Sequence, residues 1–186
     1  MSELKNKLLQ RVKELNVFKT GNFTLTSGVK SKFYLDGRLL SMDSLASILI
    51  GEIFFNEIFK TGVKVIGGPA TAAIPIVSSV ISVAKLSHNV DLSGFYVRNF
   101  SKEHGLSNKI EGNLKNQEDV VVIDDTLTSG QSILSTIKEL DLINCNTLKT
   151  FTIFDRNSGG KENLEKSGYS NYSIFKYDID SNSLVI

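Results

Sequence analysis

The chain has 186 residues, of which 41% are apolar and 22% charged, and its formal net charge is +1. This length suits a single domain with one core, and so small a net charge gives no general basic field for nucleic-acid binding. The one cysteine, Cys145, excludes an intramolecular disulfide and a cysteine-built metal site. No apolar run approaches the roughly 20 residues of a membrane helix, and the N-terminal residues lack a signal peptide's apolar region. We therefore expect a soluble cytoplasmic domain.

The predicted elements begin with an amphipathic helix, because leucine and valine recur at helical spacing from Leu4 to Leu15. Two short strands around a Ser27-Gly28 turn follow within residues 22–38. A helix is predicted over residues 42–60, with Asp43 as its N-cap. Beyond it, the predicted strands cover residues 63–68, 94–98, 119–125, 147–155 and 172–177, and the predicted helices cover residues 72–86, 130–141 and 161–169.

This alternation of strands and helices after residue 60 is typical of an α/β fold with an open, mainly parallel sheet flanked by helices. Residues 1–40 form a small N-terminal hood of strand and helix in this interpretation. Ligands of such sheets bind beyond the carboxyl ends of the strands. The strand ends that carry chemical groups are Gly67-Gly68-Pro69, Arg98, Asp124-Asp125 and Asp155-Arg156.

The segment VVVIDDTLTSGQSI, residues 120–133, combines two acids with a hydroxyl-rich turn at the start of a predicted helix. Backbone N–H groups at a helix N-terminus favour an anion, and glycine permits its close approach. The segment lacks the lysine of a P-loop and the spacing of a dinucleotide-binding loop. Carboxylates repel phosphate but accept hydrogen bonds from a vicinal diol, so the pattern as a whole predicts a ribose 5-phosphate.

The same residues, VVVIDDTLTSGQS, resemble the phosphoribosyl pyrophosphate (PRPP) signature of type I phosphoribosyltransferases. Three other segments resemble orotate phosphoribosyltransferases in particular: FTLTSGVKSKFYLDGR at 23–38, YVRNFSKEHGLSNKIEG at 96–112 and DRNSGGKENLEKSGY at 155–169. The resemblance covers most of the chain in ordered blocks. It implies transfer of ribose 5-phosphate from PRPP to N1 of orotate, which yields orotidine 5′-monophosphate and pyrophosphate.

The resemblance also implies a cofactor and a partner. Mg²⁺ is expected to bind through PRPP, with Asp124 and Asp125 as possible contacts through water. A homodimer is expected, in which the loop that carries Lys102 acts across the interface. The implied substrates are PRPP and orotate, and neither nucleic acid nor a membrane is an implied partner.

The implied catalytic residues are Lys102, His104, Asp124 and Asp125. PRPP binding is implied for these four and for Arg98, Ala70, Thr71, Ala72, Thr126, Leu127, Thr128, Ser129, Gly130, Gln131 and Ser132, with a non-proline cis peptide in the 68–72 loop. Orotate binding is implied for Arg156 through its carboxylate, and for Tyr34, Thr26 and Thr128. Each of these residues, considered alone, has another interpretation that involves no substrate. Tyr34 is also typical of a residue that packs in a strand, and His104 and Lys102 are typical of solvated surface residues. Arg156 is also consistent with a local ion pair to Asp155.

Several positions depart from the family pattern. Many members carry a basic residue at the position of Asn99 or of Phe100, and some carry lysine at the positions of Ala72 and Thr26, whereas none of these four is basic here. We therefore expect weak PRPP affinity or a stronger Mg²⁺ requirement. The alternatives left open are a purine-type phosphoribosyltransferase, a non-catalytic PRPP-binding regulator and an inactive paralogue that binds PRPP.

Overall fold

The computed structural model of the chain describes residues 1–24, 30–98 and 109–186. Its helices are α1 (Ser2–Glu14), α2 (Arg38–Ser41), α3 (Ser44–Ile58), α4 (Ala73–His88), α5 (Gln131–Asp141) and α6 (Gly160–Lys166). Its strands are β1 (Phe18–Thr24), β2 (Lys30–Leu35), β3 (Val65–Pro69), β4 (Ser93–Val97), β5 (Ile110–Gly112), β6 (Asp119–Leu127), β7 (Asn146–Asp155), β8 (Asn171–Asp178) and β9 (Ser183–Val185).

Within the described ranges, the main sheet has the strand order β5-β4-β3-β6-β7-β8-β9. The central strands β4, β3, β6, β7 and β8 pair in parallel, and the edge strands β5 and β9 pair antiparallel to them. The predicted open, mainly parallel sheet is thus confirmed. The order reverses between β3 and β6, and such a reversal opens a ligand-binding crevice at the carboxyl ends of the strands.

Helices cover both faces of this sheet. Val120 and Val122 of β6 pack with Ile133 and Ile137 of α5. The intervening residues Val121 and Ile123 belong to the larger core cluster, which also contains buried residues of α1, α3 and α4. All four β6 residues are fully buried, as expected for a parallel strand covered on both faces. The period of two therefore sends successive β6 side chains to opposite faces.

The two strands of the hood, β1 and β2, form an antiparallel sheet with a register shift between Thr20 and Phe23. Phe33 and Leu35 of β2 are buried in the larger core cluster, and Phe18 of β1 packs against it. The predicted Ser27-Gly28 turn lies outside the described residues. These contacts fix the hood against the sheet through apolar side chains on one face of β2.

The structure differs from the predicted elements at several ends. β6 continues through Thr126 and Leu127 because these residues still pair with β7, up to Leu127 opposite Asp155. α5 begins at Gln131, after Gly130 in the left-handed region at φ 79°. α2, β5 and β9 were not predicted from the sequence, because they have only three or four residues and so show no periodicity. No helix among residues 1–24, 30–98 and 109–186 combines the length and apolar character needed to cross a membrane.

Candidate active site

The loop that follows β3 leaves the sheet directly beside β6. A Cβ atom on Gly68 would lie 1.9 Å from the carbonyl oxygen of Ile123 and 2.8 Å from the Cβ of Ala73, so only glycine fits at this position. The N–H of Ala70 donates to the carbonyl oxygen of Val97 at 2.8 Å. The peptide bond between Ala70 and Thr71 is cis, as the resemblance implies. The candidate pyrophosphate loop, residues 68–72, thus includes the last two residues of β3 and borders the end of β4 and Ile123 of β6, the residue before Asp124.

Asp124 and Asp125 lie near the end of β6, and the period of two directs them to opposite faces. Asp124 is 5% exposed, and its Oδ1 accepts from the N–H of Asp125 at 2.9 Å. Burial, followed by the charge of Asp125, raises the pKa of Asp124, although hydrogen bonds from the Asp125 N–H and the Ser132 side chain oppose that rise. Burial also raises the pKa of Asp125, against the N–H of Thr126 and the charge of Arg38. Burial therefore disfavours the negatively charged form of both carboxyl groups in the free protein.

The hood approaches Asp125 through the turn that follows β2. A Cβ atom on Gly37 would lie 2.9 Å from Oδ2 of Asp125. On either side of Gly37, Arg38 Nε donates to Asp36 Oδ1 at 3.0 Å, and this hydrogen bond lowers the pKa of Asp36. No role was predicted from the sequence for Asp36, Gly37 or Arg38. The available signal was their place at the end of the FTLTSGVKSKFYLDGR block.

The segment from Thr128 to Gly130 forms the turn between β6 and α5, and α6 supports it from behind. Asn163 Nδ2 donates to the carbonyl oxygen of Ser129 at 3.0 Å. A Cβ atom on Gly160 would lie 2.6 Å from the carbonyl oxygen of Thr128, and one on Gly130 would lie 3.2 Å from that of Gly160. The exposed residues of the turn and of the first turn of α5 are Thr128, Ser129, Gln131 and Ser132. A fixed backbone thus presents hydroxyl groups at a helix N-terminus, an arrangement that suits a phosphate monoester.

Arg156 is joined to this turn through the sheet. Its N–H donates to the carbonyl oxygen of Leu127 at 2.9 Å, one residue beyond the Leu127–Asp155 pair. Its side chain is largely buried, burial lowers its pKa, and its Cζ lies 4.4 Å from the ring centroid of Phe33. The carboxylate of Asp155 accepts from the N–H of Asn157 at 2.8 Å. Arg156 is therefore a buried cation that lies within one strand spacing of the diacid strand.

Arg98 follows β4 at the other side of the crevice. Its Nη1 donates to Glu111 Oε1 at 3.2 Å, and its N–H donates to the carbonyl oxygen of Lys109. Lys109 in turn pairs with Glu139 of α5. A cleft of about 370 Å³ is lined by Pro69, Val97, Arg98, Lys109, Gln131, Ser132, Ser135, Thr136 and Glu139. The cleft brings Arg98 together with the loop after β3 and the first turn of α5, and it adds Lys109, which was not predicted from the sequence.

The remaining predicted site residues fall in two groups. Lys102, His104 and Thr26, with the departures Asn99 and Phe100, lie outside the described residues. Tyr34 is 38% exposed, and its ring centroid lies 5.7 Å from that of Phe23. Tyr34 alternates along β2 with the buried residue Phe33, which the sequence did not single out and which contacts Arg156.

Metal ligands are few in the described part of the chain, where no group of three or more His, Cys, Asp or Glu side chains could hold an ion. Asp124 and Asp125 supply carboxylates on neighbouring residues at the crevice. Two carboxylates suit a hard cation that takes its other ligands from water and from substrate oxygens. The residues that the structure describes therefore fit a substrate-bound Mg²⁺ better than a metal held by protein ligands alone.

Comparison with known proteins agrees with this fold. A family model described as phosphoribosyl transferase domain matches residues 38–180. The chain is 33% identical to the orotate phosphoribosyltransferase of Methanosphaera stadtmanae over 90% of either chain. It is 35% identical to that of Methanocaldococcus jannaschii, over 87% of this chain and 88% of the relative.

A solved structure of the Mycobacterium tuberculosis H37Rv orotate phosphoribosyltransferase is similar, with a TM-score of 0.80 at 26% identity. The match covers 93% of this chain and 96% of that one. The chain belongs to the phosphoribosyltransferase family and, within it, to the orotate phosphoribosyltransferases.

Proposed function

We propose that the chain transfers the 5-phosphoribosyl group of PRPP to N1 of orotate, which forms orotidine 5′-monophosphate and releases pyrophosphate. The observation that carries the proposal is the position of the buried Asp124 and the half-buried Asp125 directly before a hydroxyl-bearing helix N-terminus. The pair lies where the strand order reverses. The diol of a ribose 5-phosphate would donate to the two carboxylates, and its phosphate would accept from the helix N-terminus.

In the proposed reaction, cleavage of the C1–O bond leaves positive charge on the sugar and negative charge on pyrophosphate. Asp124 and Asp125 accept from the ribose hydroxyls, and their charge favours the cationic sugar. Thr126, Leu127, Thr128, Ser129, Gly130, Gln131 and Ser132 hold the 5-phosphate through backbone N–H groups and hydroxyls. Catalysis on this model depends on stabilising separated charge more than on activating a nucleophile.

Pyrophosphate is proposed to bind between the loop after β3 and the residues that follow β4. Ala70, Thr71 and Ala72 offer backbone groups, and Arg98 supplies a cation at the bordering cleft. Lys102 and His104 are proposed to complete this subsite on the basis of the family pattern in YVRNFSKEHG. Lys109, which lines the same cleft, adds positive charge beside it.

Orotate is proposed to bind through its carboxylate to Arg156, whose planar guanidinium can form a bidentate pair. The bond from Arg156 N–H to the Leu127 carbonyl supports this assignment, because it keeps the cation next to the sugar-binding strand. Thr128 is exposed at the same end of the sheet. Tyr34 and Thr26 are proposed as further contacts to the base.

Mg²⁺ is the proposed cofactor, held by PRPP oxygens and water and, through water, by Asp124 and Asp125. When bound, it neutralises charge on the pyrophosphate group. We further propose a cytoplasmic homodimer in which residues 1–186 form one domain and residues 1–40 contribute to the base site. The single cysteine supports a reducing compartment.

Loss of orotate absorbance in the ultraviolet on addition of PRPP and Mg²⁺ tests this function. Turnover by the wild-type protein, together with a collapse of the rate in Lys102→Ala, is the expected result. A protein that leaves orotate untouched and consumes a purine base would instead be a purine-type transferase. Saturable PRPP binding without turnover of any base would indicate a regulator or an inactive paralogue.

A further inference from the structure

The ring of Phe33 lies where the hood meets the end of β7 and the side chains of β8. The guanidinium carbon of Arg156 lies 4.4 Å from the Phe33 centroid. The ring of Tyr177 on β8 lies 4.1 Å from the same centroid, with the planes at 30°. Phe33 is 6% exposed and Tyr177 is 7% exposed. One ring from the hood is thus packed between the cation after β7 and an aromatic residue of β8.

Burial makes the charge of Arg156 costly, as the lowered pKa of its guanidinium indicates. An aromatic face is one of the few apolar surfaces that attract a cation, because its quadrupole places negative potential above the ring. A leucine side chain at position 33 would fill similar space without this potential. Phe33 therefore stabilises the charged form of Arg156 in a way that an aliphatic residue would not.

The backbone of Arg156 is held on both sides, by its N–H on the Leu127 carbonyl and by its own carbonyl, which accepts from Ser158 Oγ at 3.1 Å. These bonds fix the start of a long side chain and leave its χ angles to be set by what the guanidinium contacts. Tyr177 Oη donates to Asn182 Oδ1 at 2.8 Å, which fixes the ring behind Phe33. Tyr177 of β8 thus contacts Phe33 of the hood, and Phe33 contacts the guanidinium of Arg156.

We propose that Phe33 is a positioning residue for the acceptor base, which holds the Arg156 guanidinium where the acceptor carboxylate binds. The inference rests on the proposed function, since it takes orotate as the acceptor. It gives the hood a specific role, because β2 presents the ring that aims the carboxylate-binding cation. Phe33 itself acts through Arg156 and is not assigned a contact with the reacting atoms.

The test compares Phe33→Leu with Phe18→Leu, measured by steady-state kinetics with orotate and PRPP varied separately. Phe18 belongs to the same aromatic group, with its ring 5.5 Å from that of Phe33 and 6.1 Å from that of Tyr177, so Phe18→Leu is a matched loss of packing. We expect Phe33→Leu to raise the KM for orotate about tenfold, in line with the strength of a desolvated cation–π contact. The KM for PRPP should stay within about twofold, because no phosphate ligand is altered. Phe33→Tyr, which keeps the ring, should restore the KM for orotate.

A double-variant cycle tests whether Phe33 acts through Arg156. Adding Phe33→Leu to Arg156→Ala should raise the KM for orotate no further than Arg156→Ala does alone. A full additional loss in that background, or an equal loss in Phe18→Leu, would overturn the proposal. A wild-type protein that does not turn over orotate would instead contradict the proposed function, before any variant is compared.

Discussion

Gly37 of the hood and Asp125 of β6 are in contact: a Cβ atom on Gly37 would lie 2.9 Å from Oδ2 of the carboxylate. The contact joins the segment that resembles the family's base-site region to a residue proposed to bind the ribose. The orientation of Asp125 therefore depends on the absence of a side chain at position 37. The next residue, Arg38, contributes positive charge to the environment of the same carboxylate.

The first prediction concerns Gly37→Ala. Gly37 has φ −63° and ψ −22°, which alanine adopts without strain, so the new methyl group should move the tip of Asp125 and little else. We expect kcat/KM for PRPP to fall about tenfold, since small misplacements of catalytic groups are costly, while the free energy of unfolding changes by about 0.5 kcal/mol or less. Kinetics together with urea denaturation measure the two effects. Unchanged activity in a destabilised protein would contradict the expectation.

The second prediction concerns Gly68→Ala, which should lower the stability of the fold, whereas Gly37→Ala should lower mainly the activity. Its Cβ would lie 1.9 Å from the carbonyl oxygen of Ile123, a backbone atom that cannot turn aside. Gly68→Ala should therefore push β3 away from β6 and cost about 3 kcal/mol of unfolding free energy. The urea midpoint measures this, with Gly37→Ala as the matched glycine-to-alanine control. Equal midpoints for the two variants would show that the close approach is not rigid.

The third prediction follows from the raised pKa of Asp124. The folded protein holds a proton at Asp124 more tightly than the unfolded chain does, so this group's stabilising contribution is complete below the unfolded pKa near 4 and is lost as the pH rises through the folded pKa. Asp124→Asn removes this loss of stability, because the amide does not ionise, and it keeps an oxygen that can accept from the Asp125 N–H. In the free protein at pH 8, we expect the free energy of unfolding of the variant to exceed that of the wild type by about 2 kcal/mol.

Thermal and urea unfolding of Asp124→Asn and wild type between pH 4 and pH 8 measure this difference, which should shrink as the pH falls. Transferase activity should be lost in the variant, because Asn cannot supply the carboxylate charge. A variant less stable than the wild type at pH 8 would mean that burial and the charge of Asp125 do not disfavour the ionised carboxylate of Asp124 in the folded protein.

The support that α6 gives to the turn between β6 and α5, the proposed phosphate site, leads to a fourth prediction. Asn163→Ala removes the hydrogen bond from Asn163 Nδ2 to the carbonyl oxygen of Ser129. We expect the KM for PRPP to rise about fivefold, which corresponds to one net hydrogen bond, while the KM for orotate stays nearly constant. Ser167→Ala is the matched control at the C-terminal end of α6, because Ser167 Oγ donates to the carbonyl of Asn163 rather than to the turn. Similar kinetic constants for both variants would show that the turn does not depend on this hydrogen bond from α6.

The fifth prediction concerns the basic residues that the chain lacks. With alanine at position 72 and no second basic residue directly after Arg98, we expect PRPP affinity to depend strongly on Mg²⁺. Ala72→Lys should tighten PRPP binding and weaken that dependence, since it returns a cation to the loop after β3. Titration of PRPP at several Mg²⁺ concentrations, for both proteins, measures the effect. Affinity indifferent to Mg²⁺ in the wild type would contradict the expectation.

The sequence predicted the parallel sheet well because β3, β6 and β7 combine apolar runs with polar ends, and α4 and α5 have helical periodicity. It also predicted which strand ends would meet, since parallel strands place their carboxyl ends at one edge. It could not predict the Gly37–Asp125 and Phe33–Arg156 contacts, which join residues far apart in the chain. Phe33 in particular looks like one more buried strand residue until the docking of the hood brings it to Arg156.

The pairing of Leu127 with Asp155 has a consequence for substrate choice. Because Asp124 and Asp125 come just before Leu127 and Arg156 comes just after Asp155, this single residue pair of the parallel ladder sets the distance between the proposed ribose site and the proposed site of the acceptor carboxylate. A one-residue insertion in β7 would turn its side chains to the other face and misplace the cation entirely. The strand register therefore fixes the spacing between the two proposed sites. A family member that came to use a different acceptor would have to do so by replacing side chains around this spacing, without inserting or deleting a residue in the strands.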